Sequence, residues 1–164
     1  MQHLIQKYNV PGPRYTSYPT VPFWDTSTYS AASWIKTLQL NKTSREVSIY
    51  IHLPFCESLC TFCACNKRIT KQHDVEVPYI EALLKEWNMY LSILEEPPIL
   101  KEIHLGGGTP TFFKPEHLSY LISKLKSSCE IPTDVSYSFE GHPNNTTTKH
   151  LQTLHQLGFD RVSY

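Results

Sequence analysis

Four of the chain's five cysteines fall between Cys56 and Cys65, and that bunching constrains the fold more than any other feature. Cys56, Cys60 and Cys63 are spaced C-x3-C-x2-C, and Cys65 follows after Ala64. The run Val47–Leu53, Val-Ser-Ile-Tyr-Ile-His-Leu, leads into them. It is rich in β-branched and aromatic residues and of strand length, and Pro54 stops it. The thiols are therefore expected on a loop just past the C-terminal end of a strand.

Three thiolates that close together point to a metal centre. A structural zinc site takes four ligands, usually two C-x2-C pairs or a Cys/His set. No second pair is present, and a zinc reading rests on His52 or His73 completing the set. Ferredoxin clusters use four cysteines. Cys65 is a poor fourth ligand, because one intervening residue leaves little chain to wrap a cluster already held by Cys63. Three ligands leave one iron open to a small molecule, as three protein ligands leave a catalytic zinc open. Disulfides are disfavoured in a chain with five cysteines and no export signal. Cys129 stands apart and is read as a small buried hydrophobe.

Composition narrows the classes further. Lys+Arg and Asp+Glu balance at 15 each, so no basic field argues for nucleic acid. No apolar run approaches the roughly 20 residues of a membrane span. The first residues, Met-Gln-His-Leu-Ile-Gln-Lys-Tyr, lack the layout of a signal peptide. A cytoplasmic chain with no membrane or nucleic-acid partner is the expectation.

Residues 1–29 carry prolines at 11, 13, 19 and 22 and read as an extended arm rather than a helix. A short helix is expected over Tyr29–Leu40, making residues 1–46 an N-terminal arm and helix. Residues 47–164 then alternate strand and helix. After the cysteines, Asn66–Asp74 is polar and reads as an exposed connection. Pro78 is expected to open a helix whose Ile80, Leu83, Leu84, Trp87, Leu91 and Leu94 share one face. A second strand, Ile99–Leu105, runs into Gly106-Gly107-Gly108-Thr109-Pro110. Pro115 opens the next helix. A third strand, Val135–Phe139, ends at Glu140. The last helix, Thr147–Leu157, is expected to be capped by Asn145 or Thr146, with Gly158 just past its end. Arg161–Tyr164 begins a fourth strand. This pattern predicts an α/β fold with parallel strands and outer helices. The cysteines, the glycine run and Glu140 all fall at C-terminal strand ends, the edge where parallel barrels and open α/β sheets place their sites.

The C-x3-C-x2-C triad after a strand resembles the signature of the radical S-adenosylmethionine (SAM) enzymes. Arg14-Tyr-Thr-Ser-Tyr-Pro-Thr20, Tyr50-Ile-His-Leu-Pro-Phe-Cys56, the extra Cys65 and Gly106–Pro110 together resemble, within that superfamily, the oxygen-independent coproporphyrinogen III oxidases. The resemblance runs from about Lys7 to the last residue. It implies the N-terminal half of a partial (β/α) barrel, ending inside its fourth strand and inactive alone. It implies a [4Fe-4S] cluster on Cys56, Cys60 and Cys63, and SAM chelated at the open iron. An electron from an unidentified donor would cleave SAM, and the resulting radical would take hydrogen from substrate propionates. Coproporphyrinogen III would thereby lose carbon dioxide from two propionates, giving the vinyl groups of protoporphyrinogen IX in haem biosynthesis. The complete enzyme would be a monomer.

By the same resemblance, Tyr50, Phe62, Gly107, Gly108, Thr109 and Glu140 contact SAM, Phe62 by stacking on adenine. Each also has a plain structural reading: a core aromatic at Tyr50, a tight turn at Gly106–Thr109, an ion-paired or helix-capping Glu140. His52 and His104 read as packed strand residues. Arg14 would meet a substrate carboxylate. No catalytic acid or base is assigned. The alternatives are a haem chaperone or another porphyrin-acting radical SAM protein. Cys65 and the Arg14–Thr20 stretch favour the oxidase.

Overall fold

The computed structural model of the protein describes residues 2–9, 23–25, 27, 29–40 and 44–164. The Arg14–Thr20 stretch, the prolines at 11, 13, 19 and 22, and residues 41–43 lie outside them. The chain divides into two compact units, Met1–Lys36 and Thr37–Tyr164.

The N-terminal segment departs from the helix-free arm expected for it, because α1 spans Gln2–Tyr8. The prolines begin only at Pro11, and Leu4, Ile5 and Tyr8 fall on one helical face. All three are exposed. Helix α2 spans Ala31–Leu40 and contains no buried residue. Ser30 and Ser33 cap its start reciprocally: each hydroxyl oxygen accepts the other's backbone N–H at 3.1 Å.

The second unit is built on four parallel strands in the order β1 (Glu46–Leu53), β4 (Ile99–Gly107), β5 (Ser136–Glu140), β6 (Arg161–Ser163). Helix α3 (Glu76–Leu94) connects β1 to β4, α4 (Pro115–Lys126) connects β4 to β5, and α5 (Thr148–Gln156) connects β5 to β6. Successive side chains in a strand point to opposite faces. One face carries Ile49, Ile51 and Leu53, Ile103 and Leu105, Tyr137 and Phe139. These join Ile80, Leu118, Leu121, Ile122, Leu125 and Leu154 of the helices in a single apolar core. The other face is polar: Tyr50, His104, Ser138 and Arg161 lie side by side in register across all four strands. Closed parallel barrels line their inner face with branched aliphatics, and this face of the four-stranded sheet carries polar and aromatic side chains instead.

Three local expectations need correction. Helix α3 begins at Glu76, two residues before Pro78, behind a 3-10 turn at His73–Val75. Pro78 sits in the first turn, where backbone N–H groups have no partner within the helix, so its missing donor costs nothing. The cap of α5 is Thr147, whose hydroxyl accepts the His150 N–H at 3.3 Å. Thr146 cannot serve as the cap, because its hydroxyl already contacts the Thr111 hydroxyl and the His142 carbonyl. Asn66–Asp74 is not merely a connection. Arg68–Ile69 (β3) pairs in parallel with Phe55–Cys56 (β2), forming a small second sheet. Gly158 follows α5 with φ +103°, as a helix terminator should. No helix among the described residues is long and apolar enough to cross a membrane.

Candidate functional site

The cysteine loop is fastened at both ends. The Arg68 N–H donates to the Pro54 carbonyl at 2.8 Å and the Thr70 N–H to the Cys56 carbonyl at 2.9 Å. Between them, the Cys63 N–H turns back onto the Cys60 carbonyl at 3.1 Å. His52 braces the loop's far side, with Nε2 2.8 Å from the Asn66 carbonyl. Cys56 is buried, Cys60 and Cys63 are partly exposed, and Cys65 is exposed. Burial pushes the Cys56 thiol up; a hydrogen bond from Thr109 opposes this, and the nearby Cys63 and Cys60 thiols add to it. Those three sulfurs thus share one electrostatic neighbourhood. Lys67 also lies close, and its charge eases ionisation of Cys56. Phe62 projects from the loop with 89% of its surface exposed, a ring free to stack.

The glycine run packs directly against this loop. The Gly108 N–H donates to the Leu53 carbonyl at 2.9 Å and the Thr109 N–H to the Phe55 carbonyl at 3.0 Å. The backbones are so close that a side chain at Gly108 would place Cβ 2.6 Å from the Pro54 oxygen and 2.8 Å from Cys56 Sγ. Gly107 takes φ +115°, open to glycine and costly for other residues. Thr109 is buried, and its hydroxyl donates to Cys56 Sγ at 3.3 Å.

Glu140, at the end of β5, closes the row. Its Oε2 accepts the Gly107 N–H at 3.2 Å, and Oε1 lies 3.7 Å from His104 Nε2. It caps no helix. Tyr50 is 57% exposed and not a core aromatic. Its ring stacks on His104 with centroids 5.8 Å apart, and its hydroxyl lies 3.1 Å from His52 Nδ1. Partial desolvation, then the charges of Glu140 and Cys65, push the Tyr50 phenol up. Desolvation, the adjacent Cys63 thiol and Glu140 push up Cys65 in the same way. Cys65 therefore belongs electrostatically to the same edge as Tyr50 and Glu140. The Thr111 hydroxyl accepts the His142 N–H at 3.4 Å, tying the loop after Glu140 to the glycine run.

His52 and His104 are hydrogen-bonded strand residues. His104 Nδ1 lies 2.7 Å from the Ser138 hydroxyl, and both nitrogens of His52 have protein partners. His73 Nδ1 is held by Glu76 at 2.6 Å. The His52 nitrogens face Tyr50 and the Asn66 carbonyl, and the remaining His73 nitrogen, Nε2, lies 3.6 Å from Glu57. No group of three or more His, Cys, Asp or Glu side chains suited to a metal ion occurs among the described residues. Cys129 packs at the margin of the apolar core, and burial pushes its thiol up.

Sequence reasoning missed Lys67 and Glu76. The Glu76 carboxylate is fully buried, an expensive position unless every oxygen is paired. It is paired on all sides: His73 Nδ1 at 2.6 Å, His117 Nδ1 at 2.6 Å and the Lys114 N–H at 2.8 Å. His73 stacks on Phe112, centroids 4.4 Å apart, and its Nε2 lies 3.6 Å from Glu57 of the cysteine loop. Glu76 thereby links the start of α3 to the segment after the glycine run and, through His73, to the cysteine loop. Its only sequence signal was an acid at a helix start.

Residues 50–164 match the model of the Radical SAM superfamily. The oxygen-independent coproporphyrinogen III oxidase of Pseudomonas aeruginosa is 36% identical over 162 residues, covering 98% of this chain and 35% of that protein. The Helicobacter pylori J99 protein of the same name is 37% identical over 166 residues, covering 98% of this chain and 36% of its own length. The chain thus spans about a third of the length of these relatives. It spans 94% of a Mannheimia haemolytica protein of that name, which is 37% identical over 141 residues and matches 85% of this chain. The solved structure of coproporphyrinogen III oxidase from Escherichia coli, described as a radical SAM enzyme, superposes with a TM-score of 0.83. It is 29% identical, covering 98% of this chain and 35% of that one. A cysteine loop and a glycine run interlocked at the C-terminal edge of a parallel sheet, with these matches, show that the chain belongs to the Radical SAM superfamily and, within it, to the oxygen-independent coproporphyrinogen III oxidase family.

Proposed function

We propose that this chain supplies the cluster- and SAM-binding part of an oxygen-independent coproporphyrinogen III oxidase, acting in cytoplasmic haem biosynthesis. Residues 1–46 form its N-terminal segment and residues 47–164 its (β/α) core. Each of two substrate propionates loses one hydrogen atom, one electron and carbon dioxide, leaving a vinyl group. The observation that carries this reading is the seating of Cys56 against Gly108 and Thr109, in a chain 36% identical over nearly its whole length to the Pseudomonas oxidase.

Cys56, Cys60 and Cys63 would hold a [4Fe-4S] cluster. The donor chemistry fits, with three soft thiols on one pinned loop and the Lys67 cation and Thr109 hydroxyl beside Cys56, although the three side chains are not drawn together into a ready-made ligand group. When bound, the cluster and SAM supply the one-electron chemistry. The chain's own groups position the nucleoside. The Gly107 and Gly108 backbone allows close approach, and Phe62 offers an exposed ring face. Glu140 presents acceptor oxygens beside Gly107, suited to ribose hydroxyls or an amino group. Tyr50 lines the same edge from β1. An electron donor and no nucleic-acid or membrane partner complete the picture, with a monomeric enzyme.

The test is an anaerobic assay of the full-length protein with SAM, a reductant and coproporphyrinogen III. The expected result is carbon dioxide release with vinyl-bearing product. Haem binding without vinyl product would overturn the oxidase reading in favour of a carrier.

A further inference from the structure

Thr109 belongs to the glycine run expected to meet SAM, yet its side chain is turned the other way. Its backbone is fixed on both sides: N–H to the Phe55 carbonyl at 3.0 Å, and carbonyl to the Phe112 N–H at 2.8 Å. A β-branched residue on a fixed backbone has few side-chain rotamers. The rotamer adopted aims the hydroxyl at Cys56 Sγ, 3.3 Å away. Only 8% of Thr109 is exposed, as for Cys56, so little of the side chain remains for a ligand to touch. A threonine hydroxyl carries one hydrogen, and here the sulfur takes it. Gly108 forces the approach, since its backbone abuts Pro54 and Cys56 too closely for any Cβ.

We propose that Thr109 is a positioning residue for the cluster rather than a side-chain contact for SAM: its hydroxyl orients the Cys56 sulfur and, through that hydrogen bond, sets the reduction potential. This rests on the assignment of Cys56, Cys60 and Cys63 as cluster ligands. Hydrogen bonds to cluster sulfurs are a main determinant of potential. A donor aimed at a thiolate favours the more negative, reduced state. Cys60 and Cys63 are partly solvated, whereas Cys56 is buried and depends on a protein donor. Threonine also supplies a methyl group that fills the buried space. Valine therefore matches its shape and lacks only the donor.

The experiment compares wild type, Thr109→Val and Thr109→Ser in the full-length protein. Each is reconstituted anaerobically with iron and sulfide. The cluster potential is read by EPR-monitored redox titration, and SAM affinity by equilibrium titration of the oxidised cluster protein. Thr109→Val is expected to shift the potential to more negative values and to change SAM affinity by less than about twofold. Thr109→Ser keeps the wild-type potential. An unshifted potential in Thr109→Val, or a tenfold loss of SAM affinity in its place, overturns the proposal. Should Thr109→Val retain no cluster, Thr109→Ala and Thr109→Ser decide. Retention by Ser with loss in Ala supports the hydroxyl's role, and loss in both, or retention in both, overturns it. Failure of the wild type to assemble any cluster would instead count against the ligand assignment itself.

Discussion

Gly108→Ala tests how tightly the two loops are interlocked. The added Cβ would lie 2.6 Å from the Pro54 oxygen and 2.7 Å from its carbonyl carbon. Both are backbone atoms, so no side chain can swing aside. Restoring ordinary contact requires the glycine run and the Pro54 segment to part by about 0.8 Å, judged against the 3.4 Å of normal packing. That displacement breaks the Gly108–Leu53 and Thr109–Phe55 hydrogen bonds, now 2.9 and 3.0 Å long. Each contributes about 1 kcal/mol, and overpacking adds about 1–3 kcal/mol. The expected loss is about 3–5 kcal/mol, roughly two to four orders of magnitude in the folding constant. Gly106→Ala is the control. Its Cβ would meet Tyr50 Cε2 at 2.9 Å, but Tyr50 is an exposed side chain that can move. Moving it costs about 1 kcal/mol, which the gain of alanine over glycine in a strand, about 0.5–1 kcal/mol, largely offsets. Urea unfolding of the cluster-free proteins, followed by circular dichroism, measures both. Equal midpoints for Gly108→Ala and Gly106→Ala would refute the reasoning.

Glu76→Gln should cost about 1–3 kcal/mol, because an amide cannot accept from His73, His117 and the Lys114 N–H at once. Glu76→Ala should cost about 3–5 kcal/mol, the range for breaking a buried charged network; wild-type midpoints for both would show that the network contributes nothing. The cluster-free protein should also lose stability in alkali. Burial holds the Cys56 thiol above its ordinary 9.0, so the folded chain binds that proton more tightly than the unfolded chain. This contribution is complete below about pH 9 and disappears as pH rises through the raised value. Urea midpoints at pH 8 and pH 10 check the sign, and a higher midpoint at pH 10 would contradict it.

The parallel sheet was legible because its strands announce themselves. Val47–Leu53 is a β-branched-rich run ended by Pro54, and Ile99–Leu105 is an Ile/Leu-flanked run of strand length ended by glycines. Their C-terminal ends carry the cysteines and the glycine run, and Glu140 ends the third strand, so convergence on one edge followed from topology alone. What stayed hidden depends on contacts between distant residues. Thr109 and Cys56 are 53 positions apart, and nothing local tells that the hydroxyl faces the sulfur. Arg68–Ile69 is a strand only because Phe55–Cys56 offers a partner. Glu76 looks like any acid at a helix start until His117, 41 positions away, is seen against it. The helix at Gln2–Tyr8 lies in a stretch without proline, and the prolines that break helix begin only at Pro11.

Anaerobic reconstitution with iron and sulfide, read by EPR after reduction, bears on everything above. The wild type should hold about four irons and four sulfides per chain, the content of a [4Fe-4S] cluster, and its reduced signal should change when SAM is added. A Cys56→Ala/Cys60→Ala/Cys63→Ala variant should give no such signal. A signal that survives in that variant, or one indifferent to SAM, would contradict a three-cysteine cluster with an iron open to SAM.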